Sequence, residues 1–294
     1  MAARGRAGCK RGVPICSRCG CPAPPAPAFS QCEQNPPPRL CPPVPRRSIA
    51  PMTGGGRAMP ARDIAYSHAG IGMLGHFEPP ADGGPRPGIL LVHGAHGLDD
   101  FIIGIAGRLS AQGYAVLALD LWGGRARPQG PDAVGAALGG CARDRAGWMA
   151  RVEAARAALT AQPEVDGARI GALGYCFGGS TVLEYVRTGG ALTGGVSFHA
   201  GLDLVEGDWS AATKSPLLVC AGAADPMSGA EDLTRITGGM EAAGVPWELN
   251  LYGGVKHAFT EPDDPRRPPF AKYDANADRR SWAAMSDFFA HLFD

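Results

Sequence analysis

Acidic residues are almost missing from the first 62 positions, where Glu33 stands alone against ten Lys/Arg. The chain as a whole is formally neutral, so residues 63–294 carry a compensating negative excess. Neutral bulk charge leaves no electrostatic footprint for nucleic acid, and no such partner is expected. No apolar run approaches the ~20 residues that a membrane span needs. The basic start never leads into the apolar stretch of roughly 7–15 residues that a secretory leader requires. These absences set a soluble, cytoplasmic protein without membrane contact as the expectation. Histidine is absent before residue 63, although six of the nine cysteines crowd there. Cys16-Ser-Arg-Cys19-Gly-Cys21 therefore lacks the four well-spaced ligands and folded frame of a zinc site, and no metal is expected.

Hydrophobic periodicity is missing from the same stretch, which instead holds 13 of the 27 prolines. Such a sequence cannot bury enough surface to offset its ordering entropy. Residues 1–60 are expected to form a disordered Pro/Arg/Cys-rich tail, with the folded domain at 61–294. Met52 and Met59 just precede the first orderly segment. Translation from either would leave most or all of the tail out of the native protein.

From Asp63 onward, apolar β-type runs alternate with helical patterns. Segments at 64–66 and 72–77 read as a leading hairpin. Further strands are expected at 88–92, 114–121, 170–173, 194–198, 217–221 and 247–252. Helices are expected from Asp99 or Asp100 to about Gly113, and at 142–162, 178–187, 230–243 and 278–292, with 122–130 as a loop. The helix at 142–162 sets Trp148, Val152, Ala155 and Leu159 on one face, and the last helix stacks Trp282, Met285, Phe289 and Leu292. Strands that are apolar throughout are buried on both faces, and the interleaved helices supply the covers. The fold class is α/β: a mostly parallel, doubly wound sheet with helices on both faces. Ligands in such sheets collect beyond the carboxyl ends of the strands.

One of those ends carries Gly174-Tyr175-Cys176-Phe177-Gly178. A strand that turns at once into a helix holds its turn residue in a strained conformation, and small flanking residues let strand and helix approach. Cys176 occupies the turn, where the helix N-terminus favours a thiolate. The backbone N–H of Phe177 then forms one half of an oxyanion hole, and that of Ala95, after the first buried strand, the other. Asp225 follows another strand and is the expected orienting acid; His257, after the last strand, is the expected base. The order nucleophile, acid, base fits this architecture. Competing readings make Cys176 an inert core thiol, His199 the base, or Asp203 the orienting acid. His93 is expected to shape the oxyanion loop. His96, Trp122, Tyr175, His199 and Phe259 are candidates for lining the pocket, while Cys141 and Cys220 read as ordinary buried thiols.

These residues resemble the dienelactone hydrolase family of α/β-hydrolases, over nearly everything from about residue 64 onward. The resemblance rests on Gly-Tyr-Cys-Phe-Gly-Gly at 174–179, Gly-Tyr-Ala-Val-Leu-Ala-Leu-Asp-Leu at 113–121, Ala-Gly-Ala-Ala-Asp-Pro at 221–226 and Lys-His-Ala-Phe-Thr at 256–260. Tyr273 and Ala-Asp-Arg-Arg-Ser-Trp at 277–282 add to it. It implies the α/β-hydrolase fold and a Cys–His–Asp hydrolase of lactones or esters that needs no cofactor. The expected partner is a small-molecule ester or lactone, and the expected state is a monomer or homodimer. Two positions depart from the family pattern. A glutamate that contacts the resting cysteine in well-known members is matched here by Gly94. Where those members place a carboxylate-gripping arginine, Glu261 stands, which is expected to repel a substrate carboxylate. Arg125, Arg127, Arg143 and Arg279 remain as cations that could reach a pocket. The alternatives are a general small-ester carboxylesterase and a non-catalytic binding protein on the same fold.

Overall fold

Alternation of buried side chains along the strands builds two cores, one on each side of a single sheet. In the computed structural model, residues 59–264 and 267–294 are described. The cysteines of the tail and the start at Met52 lie outside these residues. The sheet has eight strands in the order β1-β2-β4-β3-β5-β6-β7-β8. Strands β1 (Arg62–His68) and β2 (Ile71–Glu78) form the expected hairpin. Ala69 and Gly70 between them both take positive φ, as a two-residue turn matching the strand twist requires. Strand β2 pairs antiparallel with β4 (Ala115–Ala118), and every later pairing is parallel. The parallel set comprises β3 (Arg86–Val92), β4, β5 (Val165–Tyr175), β6 (Gly194–Phe198), β7 (Leu217–Gly222) and β8 (Trp247–Tyr252).

Successive strand residues face opposite sides. Leu90, Leu117 and Val219 enter one core, while Leu91, Val116 and Leu218 enter the other. The first core is closed by α3 (Arg145–Thr160), α4 (Phe177–Arg187) and α5 (Ala230–Ala242). The second is closed by α1 (Asp100–Ser110) and α6 (Ala275–Phe293). Trp148, Val152, Ala155 and Leu159 are buried on α3, as their spacing predicts. Met285 and Phe289 are buried on α6, whereas Trp282 is partly exposed beneath the guanidinium of Arg108, 3.6 Å from its ring centroid. Asp99 caps α1 by accepting from the N–H of Ile102 at 3.0 Å. Truncating a fully buried leucine such as Leu90 or Leu117 to alanine costs about 2–5 kcal/mol.

Two elements differ from the sequence reading. A helix, α2 (Gly130–Arg143), begins where a loop was expected to end and precedes α3. Its composition is small and glycine-rich and it buries only Cys141, so no apolar stripe announces it. Strand β4 stops at Ala118 rather than 121. The Asp120 carboxylate explains the early exit, because it accepts backbone N–H groups from Leu74, Gly123 and Arg125 at 3.1, 2.9 and 2.8 Å. The chain thereby bends into a loop that carries Trp122. No helix among the described residues is long and apolar enough to cross a membrane.

Candidate active site

Strand β5 runs directly into α4, and Cys176 is the turn between them, with φ 54° and ψ −117°. Only close packing can hold a non-glycine residue there, and the neighbouring glycines allow that packing. A β-carbon on Gly174 would lie 2.0 Å from the Gly178 carbonyl oxygen. Cys176 is half-buried, while Cys141 and Cys220 are buried. Burial pushes the thiols of those two up to about 11 and about 12.

His257 hangs from the loop after β8 and reaches Cys176, with Nε2 3.2 Å from Sγ. Its backbone is tied down on both sides: its N–H donates to Phe270 at 3.0 Å, and its carbonyl accepts from Lys272 at 2.9 Å. Asp225, after β7, lies 2.7 Å from His257 Nδ1 through Oδ2 and accepts from the Met227 N–H through Oδ1 at 2.8 Å. A carboxylate accepts, so Nδ1 carries the proton and Nε2 is turned to the sulfur. The loop can approach β7 because Gly222 has no β-carbon to meet the Val255 carbonyl 2.4 Å away. Burial lowers the pKa of His257, but the negative charge of Cys176 and the hydrogen bond and charge of Asp225 outweigh it. The net position is about 10. The expected three residues therefore converge, and Asp225 rather than the exposed Asp203 holds the ring.

The loop after β3 faces the same sulfur. A β-carbon on Gly94 would stand 3.6 Å from Cys176 Cβ, an ordinary contact, so this position points at the Cys176 side chain. Ala95 follows it and is nearly buried. Its carbonyl accepts from Trp122 Nε1 at 3.2 Å. At the start of α4 the first N–H groups, including that of Phe177, have no acceptor within the helix. Phe177 itself is sandwiched between Trp122 and Trp148, with ring centroids 4.8 and 5.1 Å away. Trp122 and Trp148 also line a hollow of about 330 Å³ between the Trp122 loop and helices α2 and α3.

The remaining candidates fall in different places. His96 is exposed and meets the Pro128 carbonyl at 3.3 Å. Tyr175 and Phe259 are fully buried, Tyr175 stacked on Phe198 at 4.9 Å and Phe259 edge-on to His199 at 5.2 Å. His199 is buried with φ 36°; its Nε2 pairs with Thr260 Oγ1 at 2.8 Å, and its ring stands edge-on to His257 at 5.3 Å. Burial, and then the charge of His257, hold it well below the ordinary histidine pKa, so His199 is neutral. Cys176, His199 and Ala258 are three of the five described non-glycine residues with positive φ. Such strain concentrates where a site is over-determined by its surroundings.

Arg267 was invisible as a site residue in the sequence. Its Nη2 donates to Glu261 Oε2 at 2.6 Å, and Glu261 Oε1 is 4.0 Å from His199. Glu261 was expected to repel a substrate carboxylate, but its charge is offset by this guanidinium. Arg125 is committed elsewhere, donating to the Leu74 carbonyl at 2.9 Å and pairing with Asp63. Among the described residues, no group of three or more His, Cys, Asp or Glu side chains could hold a metal ion.

Known proteins match the same folded region. A family model described as the dienelactone hydrolase family matches residues 75–293. A putative carboxymethylenebutenolidase of Methylorubrum extorquens is 28% identical over 224 residues, 71% of this chain and 74% of that protein. A probable 2-oxo-3-(5-oxofuran-2-ylidene)propanoate lactonase of Bradyrhizobium sp is 26% identical over 65% of this chain and 81% of its own length. Among solved structures, a dienelactone hydrolase-like promiscuous phosphotriesterase from metagenomic libraries matches with a TM-score of 0.76 at 37% identity. That match covers 81% of this chain and 100% of that one.

Proposed function

Because the chain belongs to the dienelactone hydrolase family, we propose that it hydrolyses a lactone or carboxylic ester through an acyl-enzyme on Cys176. The observation that carries this reading is the contact of 3.2 Å between Cys176 Sγ and His257 Nε2, with Asp225 behind the ring at 2.7 Å. Cys176 Sγ, its proton passed to His257 Nε2, attacks the carbonyl carbon, and the carbonyl electron pair moves to oxygen. The N–H groups of Phe177 and Ala95 stabilise that oxyanion. Collapse breaks the C–O bond, and the proton on His257 Nε2 passes to the leaving oxygen. A thioester remains on Cys176. His257, again neutral at Nε2, then takes a proton from water, whose oxygen attacks the thioester and releases the acid and the thiolate.

A thiolate leaves a tetrahedral intermediate more readily than an alkoxide does. The site therefore favours substrates with good leaving groups, such as enol esters and enol lactones, over amides. Arg267 offsets Glu261, so carboxylate-bearing lactones belong in the substrate panel beside neutral ones. The test runs wild type and Cys176→Ala on lactones, phenyl esters and alkyl esters, with mass analysis of the quenched enzyme. Turnover confined to wild type, with an acyl adduct on Cys176, is expected. Undiminished turnover by Cys176→Ala would overturn the reading, and ester turnover without lactone turnover would make the protein a general carboxylesterase.

A further inference from the structure

His93 is fully buried in the strand end that precedes the oxyanion loop, and the steps above do not use it. Both of its ring nitrogens are occupied. The backbone N–H of Leu121 points at Nε2 at 3.1 Å. The carbonyl oxygen of Gly94 lies 2.7 Å from Nδ1. A backbone N–H can only donate, so Nε2 must keep its lone pair; a carbonyl can only accept, so Nδ1 must carry the proton. The two neighbours thus leave one tautomer, neutral and protonated at Nδ1. Burial agrees, since it holds the histidine pKa below 6.5.

The Gly94 carbonyl and the Ala95 N–H belong to one peptide group. That group is planar and trans, so its C=O and N–H point in opposite directions. Whatever fixes the Gly94 oxygen also fixes the direction of the Ala95 hydrogen. His93 Nδ1 holds that oxygen, and the Gly97 N–H holds it too, at 3.2 Å. The same residue, Gly94, has its α-carbon turned to Cys176, so the peptide that follows borders the nucleophile.

We infer that His93 is a positioning residue that aims the Ala95 N–H at the developing oxyanion, through the plane of the Gly94–Ala95 peptide. This rests on the acyl-transfer reading above. Asp120 and Trp122 complete the arrangement. Asp120 bends the chain after β4, which presents the Leu121 N–H to His93, and Trp122 fixes the next carbonyl, that of Ala95. The oxyanion loop is therefore set by the loop of a neighbouring strand.

Two substitutions separate the two bonds of the ring. His93→Asn places an amide N–H where Nδ1 was and keeps the bond to Gly94. His93→Gln places a carbonyl where Nε2 was, keeping the bond to Leu121 while losing the one to Gly94. For each variant, two rates at Cys176 are compared: acylation by a nitrophenyl ester, which needs the oxyanion hole, and alkylation by iodoacetamide, which does not. Both rates are taken per reactive site, so partial unfolding changes amounts and not the ratio.

The expected result is a ratio about 10–100-fold lower in His93→Gln, expressed in kcat with KM little changed. That approaches the roughly 10²–10³-fold for deleting an oxyanion donor. In His93→Asn the ratio stays within about threefold of wild type, because the donor to Gly94 is restored. Equal ratios in wild type and His93→Gln would overturn the inference. A second measurement needs no variant: nitrogen NMR of labelled wild type should show His93 protonated at Nδ1, and protonation at Nε2 would also overturn it. Neither outcome touches the acyl-enzyme reading, which stands or falls separately on whether Cys176→Ala turns over.

Discussion

Gly178, in the first turn of α4, lies against the carbonyl of Val92 at the end of β3. A β-carbon there would sit 2.2 Å from that oxygen and 2.8 Å from the carbonyl of His93. The helix that follows Cys176 and the strand that leads into the Ala95 loop are thus in backbone contact, with no side chain between them. Gly178→Ala should force them apart and destabilise the fold by about 1–3 kcal/mol or more, as overpacking does. Activity should fall further than stability, because Cys176 and Ala95 separate. Chemical denaturation beside ester turnover measures both. An alanine variant with wild-type turnover would show that the contact is not needed.

Asp225→Asn leaves the shape of the acid but offers His257 an amide. The effect on kcat should reach roughly 10²-fold or more, short of the ~10⁴-fold seen when a serine triad loses its aspartate. The alkaline limb should also move. His257 holds its proton up to about 10, after burial has been outweighed by Cys176 and Asp225. In the proposed mechanism that proton goes to the leaving group, so activity should fall as pH rises through this value. Removing the carboxylate removes one support, and the limb in Asp225→Asn should shift to lower pH in a kcat profile.

Gly94→Glu introduces a carboxylate where the side chain would face Cys176, with its first carbon 3.6 Å from Cys176 Cβ. A like charge beside the sulfur disfavours the thiolate. Alkylation of Cys176 by iodoacetamide near neutral pH should slow about tenfold, equivalent to one pKa unit of repulsion. A faster or unchanged rate would mean that the carboxylate swings away from the sulfur.

Acid should destabilise the fold through His93 and His199. Both are buried, and burial is the main reason that their pKa values lie below 6.5 in the fold. Unfolding releases them to the ordinary value, so below about pH 6.5 the unfolded chain binds protons that the native chain refuses. Stability then falls with falling pH, by about 1.4 kcal/mol per unit for each histidine while its window lasts. His257 acts in the opposite sense: its raised pKa adds stability that is full below 6.5 and lost as pH climbs toward 10. Denaturant midpoints from pH 5 to 10 should pass through a maximum, and His199→Gln should flatten the acid side.

Much of this arrangement is legible in the sequence because it depends on backbone proximity. Gly174 and Gly178 are written where a β-carbon cannot fit, and apolar runs mark every central strand. The three residues at strand ends follow from those strands. Helix α2 escapes notice because Gly-Pro-Asp-Ala-Val-Gly-Ala-Ala has no apolar stripe for a period to reveal. The early end of β4 escapes because Leu119 and Leu121 remain buried outside the strand, so burial pattern and pairing part company. Arg267 escapes because it lies among prolines in a long loop, where sequence spacing says nothing about reach. The sequence reading therefore expects Glu261 to repel a substrate carboxylate, while the guanidinium that offsets it stands six residues away.

Cys176 and His257 are 81 residues apart, and β6 and β7 lie between their strands in the sheet. The pairing that, in the proposed mechanism, activates the thiol is thus among the last contacts the chain can close, since long-range contacts wait on those that bring their elements together. A chain emerging from the ribosome that has formed β5 but not yet β8 holds Cys176 without its contact to His257. Under that mechanism chemical hazard and finished structure arrive together, so ester turnover would double as a certificate that the last third of the molecule is in place.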